Sequence, residues 1–576
     1  MHSLLATHPW RVAVFRRVAV FSSALWVAGC GSSEPSPNQT SAGGSLVHDA
    51  SGAGAAGMGP AGAQNSGGGG ASAGRGGAGG DADPGLGGAG GDSDASLGGA
   101  AGSTSDADAT SRSDASGSVG TGGSAGNAGG AGGDGGDVPT GADAGVPLPP
   151  SVSELFPRPG ASGVCLDAPL ALTFDTTPTV GGQGLIRIYA KSNPNTVVDS
   201  IDVAAASYSD TIGGQKRNQV RPVFLEGKRA VIYLHQHKLA PNTSYFVTIG
   251  SGTFVDAQKK PIGTVSAPSA WTFSTGSAPS ASANMTVDRA GSGAFCSVQG
   301  AFDALPENDG TARTITIKAG NYHELLYLSA KKNLTVHGAD RAATVISYPN
   351  NETLNPGTAA RALFFANGST GLTLENLTID NTTPQDGTQA EALRVQADQV
   401  ILRDATFKSL QDTLLLSGRV YVVTSYFEGN VDFVWGEGVA YFDRSEIKTV
   451  GRAGAIVQSR NGSGDYGYVF VDSKLTSDAN ITGQVLARID VTKYPYSHVA
   501  FINCQMSSAI SAKGWTITPA GTTATGNLRF WEYQSTDASG ARLIVSGRDP
   551  ASKQISESQA AMMRDKATVL GGWVLN

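Results

Sequence analysis

From residue 401 the chain repeats itself at a fixed interval. The segments Ile401-Leu402-Arg403-Asp404-Ala405-Thr406-Phe407, Tyr421-Val422-Val423-Thr424-Ser425-Tyr426-Phe427 and Tyr441-Phe442-Asp443-Arg444-Ser445-Glu446-Ile447 begin at 401, 421 and 441. A fixed period of about 20 with short β-rich segments confines a chain to a stacked solenoid, because one coil alone cannot bury its apolar face. Two acidic motifs ride on this period, Gln411-Asp412-Thr413-Leu414 and Val431-Asp432-Phe433-Val434-Trp435-Gly436. Asp412 follows Ile401 at the same distance as Asp432 follows Tyr421. In a parallel β-helix, equivalent positions of successive coils lie roughly 4.8 Å apart, so the two carboxyl groups are expected side by side. At about 5 Å and an effective dielectric of about 20, their repulsion is on the order of 3 kcal/mol, or roughly 2 pK units. One aspartate then stays protonated while the other is ionised, an acid-plus-nucleophile arrangement. Spacing alone is equally compatible with two solvated turn residues.

The chain is 576 residues long, which suggests several units. Residues 31–150 hold 38 Gly, twelve acidic residues and only two basic ones, Arg75 and Arg112. This stretch is nearly without aromatics and cannot bury a core, so a disordered Gly/Ala/Ser/Asp-rich tether is expected. Its r.m.s. span by random-coil scaling is about 60 Å. The net charge of −7 arises from this tether and from Arg11, Arg16 and Arg17, which leaves the part from 151 onward neutral. A neutral folded part carries no basic footprint for nucleic acid.

Residues 1–30 have the pattern of an export signal, with basic residues to Arg17 and an apolar run from Val18 to Val27. The run ends in Val27-Ala28-Gly29-Cys30, which resembles the lipobox of bacterial lipoproteins. That resemblance implies lipidation at Cys30, membrane attachment through the lipid and an outer-membrane or cell-surface location; without lipidation the protein is secreted. Three further cysteines, Cys165, Cys296 and Cys504, permit one disulfide at most, and Cys165–Cys296 is the expected pair. Cys504 alternates with Phe501 and Met506 and is expected as a buried residue on a strand. No Cys/His cluster has zinc spacing, and neither metal nor cofactor is expected.

Residues 151–276 change texture. Alternating strands such as Leu170–Phe174, Gly184–Tyr189, Ala230–Leu234 and Tyr245–Ile249 are separated by Gly/Pro/Asn turns, as in an all-β sandwich. Leu239–Tyr245 resembles the approach to a tyrosine corner, and Trp271-Thr272-Phe273 is expected to close the sandwich. The region resembles the bacterial Ig-like modules that precede exported enzymes, and it is expected to act as a spacer or as a carbohydrate- or wall-contacting module, the spacer being favoured. After a joint at 277–284, the third region opens with Ala294–Phe302, expected as a helix that caps the solenoid. Its later segments start at 401, 421, 441, 469 and 500, so the steps lengthen beyond 441. Longer steps place inserted loops on one face, and these bring in Gln458 and Arg488.

Seven motifs then occur in order. Gly320-Asn321-Tyr322-His323-Glu324 resembles the GxYxE signature of pectin methylesterases, and Gln389-Ala390-Glu391-Ala392-Leu393 resembles their QAxAL. Gln411–Leu414 resembles QDTL, and Asp432–Gly436 resembles DFxFG with Trp435 for the second Phe. Leu486-Ala487-Arg488, Gly514-Trp515 and Glu532-Tyr533 fit the LGR and C-terminal patterns. The resemblance covers 280–576 and implies a right-handed parallel β-helix that demethylates homogalacturonan (pectin); a monomer is the expected state, although the sequence does not encode the oligomeric state. It implies Asp432 as nucleophile, Asp412 as acid and then base, Gln389 and Gln411 as oxyanion donors, and Arg488 as the partner of Asp432.

LGRPW becomes Leu486-Ala487-Arg488-Ile489-Asp490, so the aromatic wall of that Trp is missing. Tyr494, Tyr496 and Trp435 are the candidate substitutes in substrate binding. Gln458 is a candidate sugar contact or support for Asp432. His323 is expected at the surface, and Tyr322 and Glu324 as structural residues. A pectate lyase needs a cluster of calcium-binding carboxylates that this sequence lacks. An inverting hydrolase needs carboxyls about 6.5–9.5 Å apart, more than one-coil stacking gives. A related esterase or thioesterase, and a surface lipoprotein that grips polysaccharide without turnover, remain as alternatives.

Overall fold

The expected period is set by backbone pairing. In the computed structural model, which describes residues 147–384 and 387–575, Ile401 pairs with Tyr421, Tyr421 with Tyr441, Tyr441 with Val469 and Val469 with Ala500, all in parallel. The equal steps and the lengthened ones are therefore one coil each. The strands from Asn284 onward form a parallel β-helix, with an 18-stranded sheet on two walls and an 8-stranded sheet on the third. Cys30, the export signal and the Gly-rich stretch up to residue 146 lie outside the described residues.

The interior is apolar because alternate strand residues point inward and stack on their counterparts one rung away. Phe442, Phe470 and Phe501 form one such column, with ring centroids 4.2 and 4.7 Å apart. The outward positions Tyr421, Tyr441, Val469 and Ala500 are also apolar, and the helices Glu557–Arg564 and Lys566–Val569 cover them. Lys566 anchors this cover through its Nζ, 2.6 Å from Asp443 Oδ2. Each coil turns at a residue of positive φ, at Asp404, Thr424, Arg444, Asp472 and Asn503. Behind these turns runs a column of serines, in which Ser445 Oγ accepts from Ser425 N and Ser473 Oγ from Ser445 N. Cys504 continues that column in the turn, not on a strand. Its thiol is buried and donates to the Phe470 and Ile502 carbonyls, and burial pushes its pKa up to about 12.

The preceding sandwich has a four-stranded and a five-stranded sheet, closed by Thr272–Thr275. Ala240 N donates to Tyr245 Oη at 2.7 Å, the hydrogen bond of a tyrosine corner. The capping helix is shorter than expected, Val298–Asp303, with Ser297 as its N-cap. Its first N–H groups donate to Glu324, whose fully buried carboxyl is pushed up to about 7 by desolvation.

The sandwich is docked on the β-helix. Cys165 and Cys296 form a disulfide across the joint. Arg289 pairs with Glu226 at 2.8 and 2.9 Å. His323 is not a surface residue: it stacks on Phe224 at 4.2 Å and bonds Glu226 at 3.1 Å. A sequence pattern cannot show that a neighbouring module will cover such a position. The hairpin of Ser207–Ile212 and Gln215–Val220 reaches further along the helix. There Asn218 exchanges hydrogen bonds with Asn355, and Arg217 donates to the Ala359 carbonyl at 2.9 Å.

Phe470→Ala opens a hole between two stacked rings, with an expected loss of about 3–5 kcal/mol in urea denaturation.

Candidate active site

Two consecutive coils supply the centre of the site. Leu414 pairs with Val434, and Gln411 bridges to Val431, so Asp412 and Asp432 occupy equivalent positions one rung apart. Asp412 N donates to Val431 O at 3.0 Å and Asp432 N to Ala455 O at 2.7 Å, which fixes both backbones. Both residues have left-handed φ, 67° and 48°. Aspartate tolerates that region better than most residues because its short polar side chain bonds locally.

The two carboxyl groups have different surroundings. Asp432 lies in the fork of Arg488, whose Nε donates to Oδ1 at 2.8 Å and to Oδ2 at 3.0 Å while Nη2 also bonds Oδ2. Gln458 Nε2 donates to the same Oδ2 at 3.1 Å, and Gln458 Oε1 accepts from Arg460 Nε at 2.7 Å. Gln458 therefore supports Asp432. The outward column explains this: Trp435 pairs with Gln458, and the rung from Val457 to Ala487 continues Gln458 onto Arg488.

Asp412 is buried, and its pKa is raised well above the usual carboxylate range. Burial is the largest cause, reinforced by the charges of Glu391 and Asp432 and opposed by Arg361 and Arg460. Arg361 Nη2 donates to Asp412 Oδ2 at 2.9 Å and to Glu391 Oε1 at 2.8 Å, while Nη1 reaches Glu352 Oε2 at 3.0 Å. Sequence spacing does not point to Arg361, Glu391 or Arg460. The available signals are a charged residue inside the small-residue run Ala359-Ala360-Arg361-Ala362 and an acidic one at the variable position of the QAxAL-like motif.

Gln389 and Gln411 are half-buried, and among the described residues neither side-chain amide is engaged in a hydrogen bond. Trp435 is buried, with Arg460 4.4 Å and Arg361 5.8 Å from its ring centroid. This corrects its expected place as a sugar platform: the ring packs the arginines that serve the aspartates. Tyr494 reaches the site's edge, with Arg460 at 5.3 Å from its ring centroid. Tyr496 does not join the site. It is exposed, and only its carbonyl is used, by Asn461 and Arg529.

The pectinesterase family profile matches residues 284–568, the whole span that holds these residues. A pectinesterase of Aspergillus aculeatus is 32% identical over 266 residues, covering 43% of this chain and 79% of its own. The chain belongs to the pectinesterase family. Pectinesterase 31 of Arabidopsis thaliana is 29% identical over 242 residues, 40% of this chain and 75% of its own. The structure of the carrot pectin methylesterase aligns with a TM-score of 0.46 and 26% identity, over 51% of this chain and 95% of that one. Residues 147–275 match a bacterial Ig-like domain, so this pectinesterase carries that module ahead of its β-helix.

The two arginines of the site differ in what their loss exposes. Arg488 has a half-exposed side chain over the buried Asp432, and Arg488→Ala is expected to cost about 1–3 kcal/mol in urea denaturation. Arg361→Met strands the fully buried Glu391, and the same measurement is expected to lose about 3–5 kcal/mol.

Proposed function

We propose that the enzyme hydrolyses methyl esters of homogalacturonan to pectate and methanol through an aspartyl acyl-enzyme. The observation that carries this mechanism is the contrast between two carboxyls one rung apart. Asp432 lies in the fork of a guanidinium, whereas Asp412 is buried beside two other carboxyls, which favours its proton.

Asp432 attacks the ester carbonyl, and the C–O bond to the methoxy group breaks as Asp412 passes its proton to the departing oxygen. Asp412, now a carboxylate, takes a proton from water, and the resulting hydroxide attacks the acyl carbon and releases Asp432. Gln389 and Gln411 supply amide N–H groups for the developing oxyanion, and one such donor is worth roughly 3–4 kcal/mol of barrier. Tyr494, beside Arg460, is the aromatic residue offered to the sugar at the site's edge. The lipobox-like Val27-Ala28-Gly29-Cys30 supports export and anchoring by a lipid on Cys30, with the Gly-rich stretch as a tether and a monomeric enzyme at the surface.

Methanol release from highly methylated pectin tests this function. The wild-type enzyme is expected to turn over, Asp432→Asn to fall to background, and Gln411→Ala to lose about 10²–10³-fold in kcat. Binding of pectin without methanol release by the wild type would replace the esterase with an adhesin.

A further inference from the structure

The Arg361–Glu391 pair needs an explanation of its own. Both residues are buried, and Glu391 has no exposed side-chain surface. Buried ion pairs are often replaceable by apolar residues without loss of stability, so stabilising the fold does not account for this one. What distinguishes it is its third member: the same Arg361 Nη2 bonds Glu391 Oε1 at 2.8 Å and Asp412 Oδ2 at 2.9 Å. The register places Glu391 one rung from Asp412, because Leu393 pairs with Leu414.

The charges around Asp412 are nearly matched. Arg361 and Glu391 face it from the preceding coils, Asp432 from the next, and Arg460 and Arg488 from beyond. With Glu352 on Arg361, these make four carboxyl groups against three guanidiniums, and a single proton brings the cluster to neutrality. Arg394, which acts on Glu391, has Glu437 as its own counter-charge and leaves the balance unchanged. Asp432 is bonded by Arg488 through three contacts and Glu391 by Arg361 through three, whereas Asp412 takes one hydrogen bond from Arg361. Asp412 is the member for which a proton costs least.

We propose that Arg361 and Glu391 are positioning residues for Asp412: Arg361 fixes one oxygen of its carboxyl, and Glu391 cancels the guanidinium charge so that the carboxyl keeps its proton for the leaving methoxy group. The proposal rests on the acid–base role of Asp412 given above. Without Glu391, the guanidinium facing Asp412 stabilises its carboxylate, and the acid is lost at neutral pH. Without Arg361, the carboxyl has no fixed direction. Once the proton has passed to methanol, the same hydrogen bond holds the new carboxylate as the base for water.

The test is the pH dependence of methanol release by full-length variants that unfold cooperatively. In Glu391→Gln, loss of a negative neighbour lowers the pH at which Asp412 ionises. The alkaline limb of kcat/KM is expected to move down by roughly 1–2 pH units. Arg361→Lys keeps the charge without the fork, and it is expected to lose about tenfold in kcat with KM little changed. Arg361→Met/Glu391→Met removes both charges, so its limb is expected back near the wild-type position while kcat stays low. An alkaline limb that stays in place in Glu391→Gln, or a wild-type kcat in Arg361→Lys, overturns the proposal. Asp412→Asn separates the two levels: if it still turns over, the acid–base assignment itself fails, and if it is inactive while the limbs are unmoved, only the role of the buried pair fails.

Discussion

Parallel backbone pairing between coils decides which side chains of this protein can meet. A hydrogen-bonded rung is about 4.8 Å tall, so a residue and its counterpart one coil later are neighbours however long the connecting loop is. The step from Gln458 to Arg488 is half as long again in sequence as the step from Asp412 to Asp432, yet both are single rungs. Two carboxylates and the guanidinium that distinguishes them are thus assembled from separate coils by the ladder alone. A frame built this way is stiff, because moving one side chain along the axis means breaking the pairing of a whole strand.

The same rule explains what the sequence revealed. Where two coils have equal length, the period is visible, and Asp412, Asp432 and the phase of the surrounding strands follow from counting. Where loops are inserted, counting fails. The coil from Leu326 to Phe364 and the next, from Phe364 to Leu393, are both longer than the later period and unequal to each other. Arg361 therefore lies in a stretch with no visible phase, although it contacts Asp412 directly. The expected exposure of His323 fails for another reason: it depends on Phe224 of a different module, and no local pattern encodes that contact. Trp435 has the residue type of a sugar platform, but the flanking arginines use its surface.

The Ig-like module bears on the site through that unphased stretch. The loop leading to Arg361 has no ladder to hold it, and buried backbone groups outside a ladder need other partners. Asn350 Nδ2 donates to the carbonyls of Ala360 and Ala362 at 3.0 and 2.8 Å. Asn355 links Asn350 to Asn218 of the Ig-like hairpin, and Arg217 of that hairpin closes on Ala359. The module therefore acts as a clamp on the segment that presents Arg361. With the Cys165–Cys296 disulfide at the other end of the joint, this clamp ties the module to the β-helix at two separated points.

Arg488 and Arg361 each face an aspartate, but the consequences differ because their other contacts differ. Arg488 forms its one salt bridge among the described residues with Asp432, and its side chain is half-exposed. Arg361 is buried and shared among Glu391, Glu352 and Asp412, so only part of its charge faces Asp412. One guanidinium is thus committed to a single carboxyl group while the other is divided among three. A ladder that supplies only spacing would leave two equivalent aspartates; the unequal sharing of arginine charge gives them different surroundings.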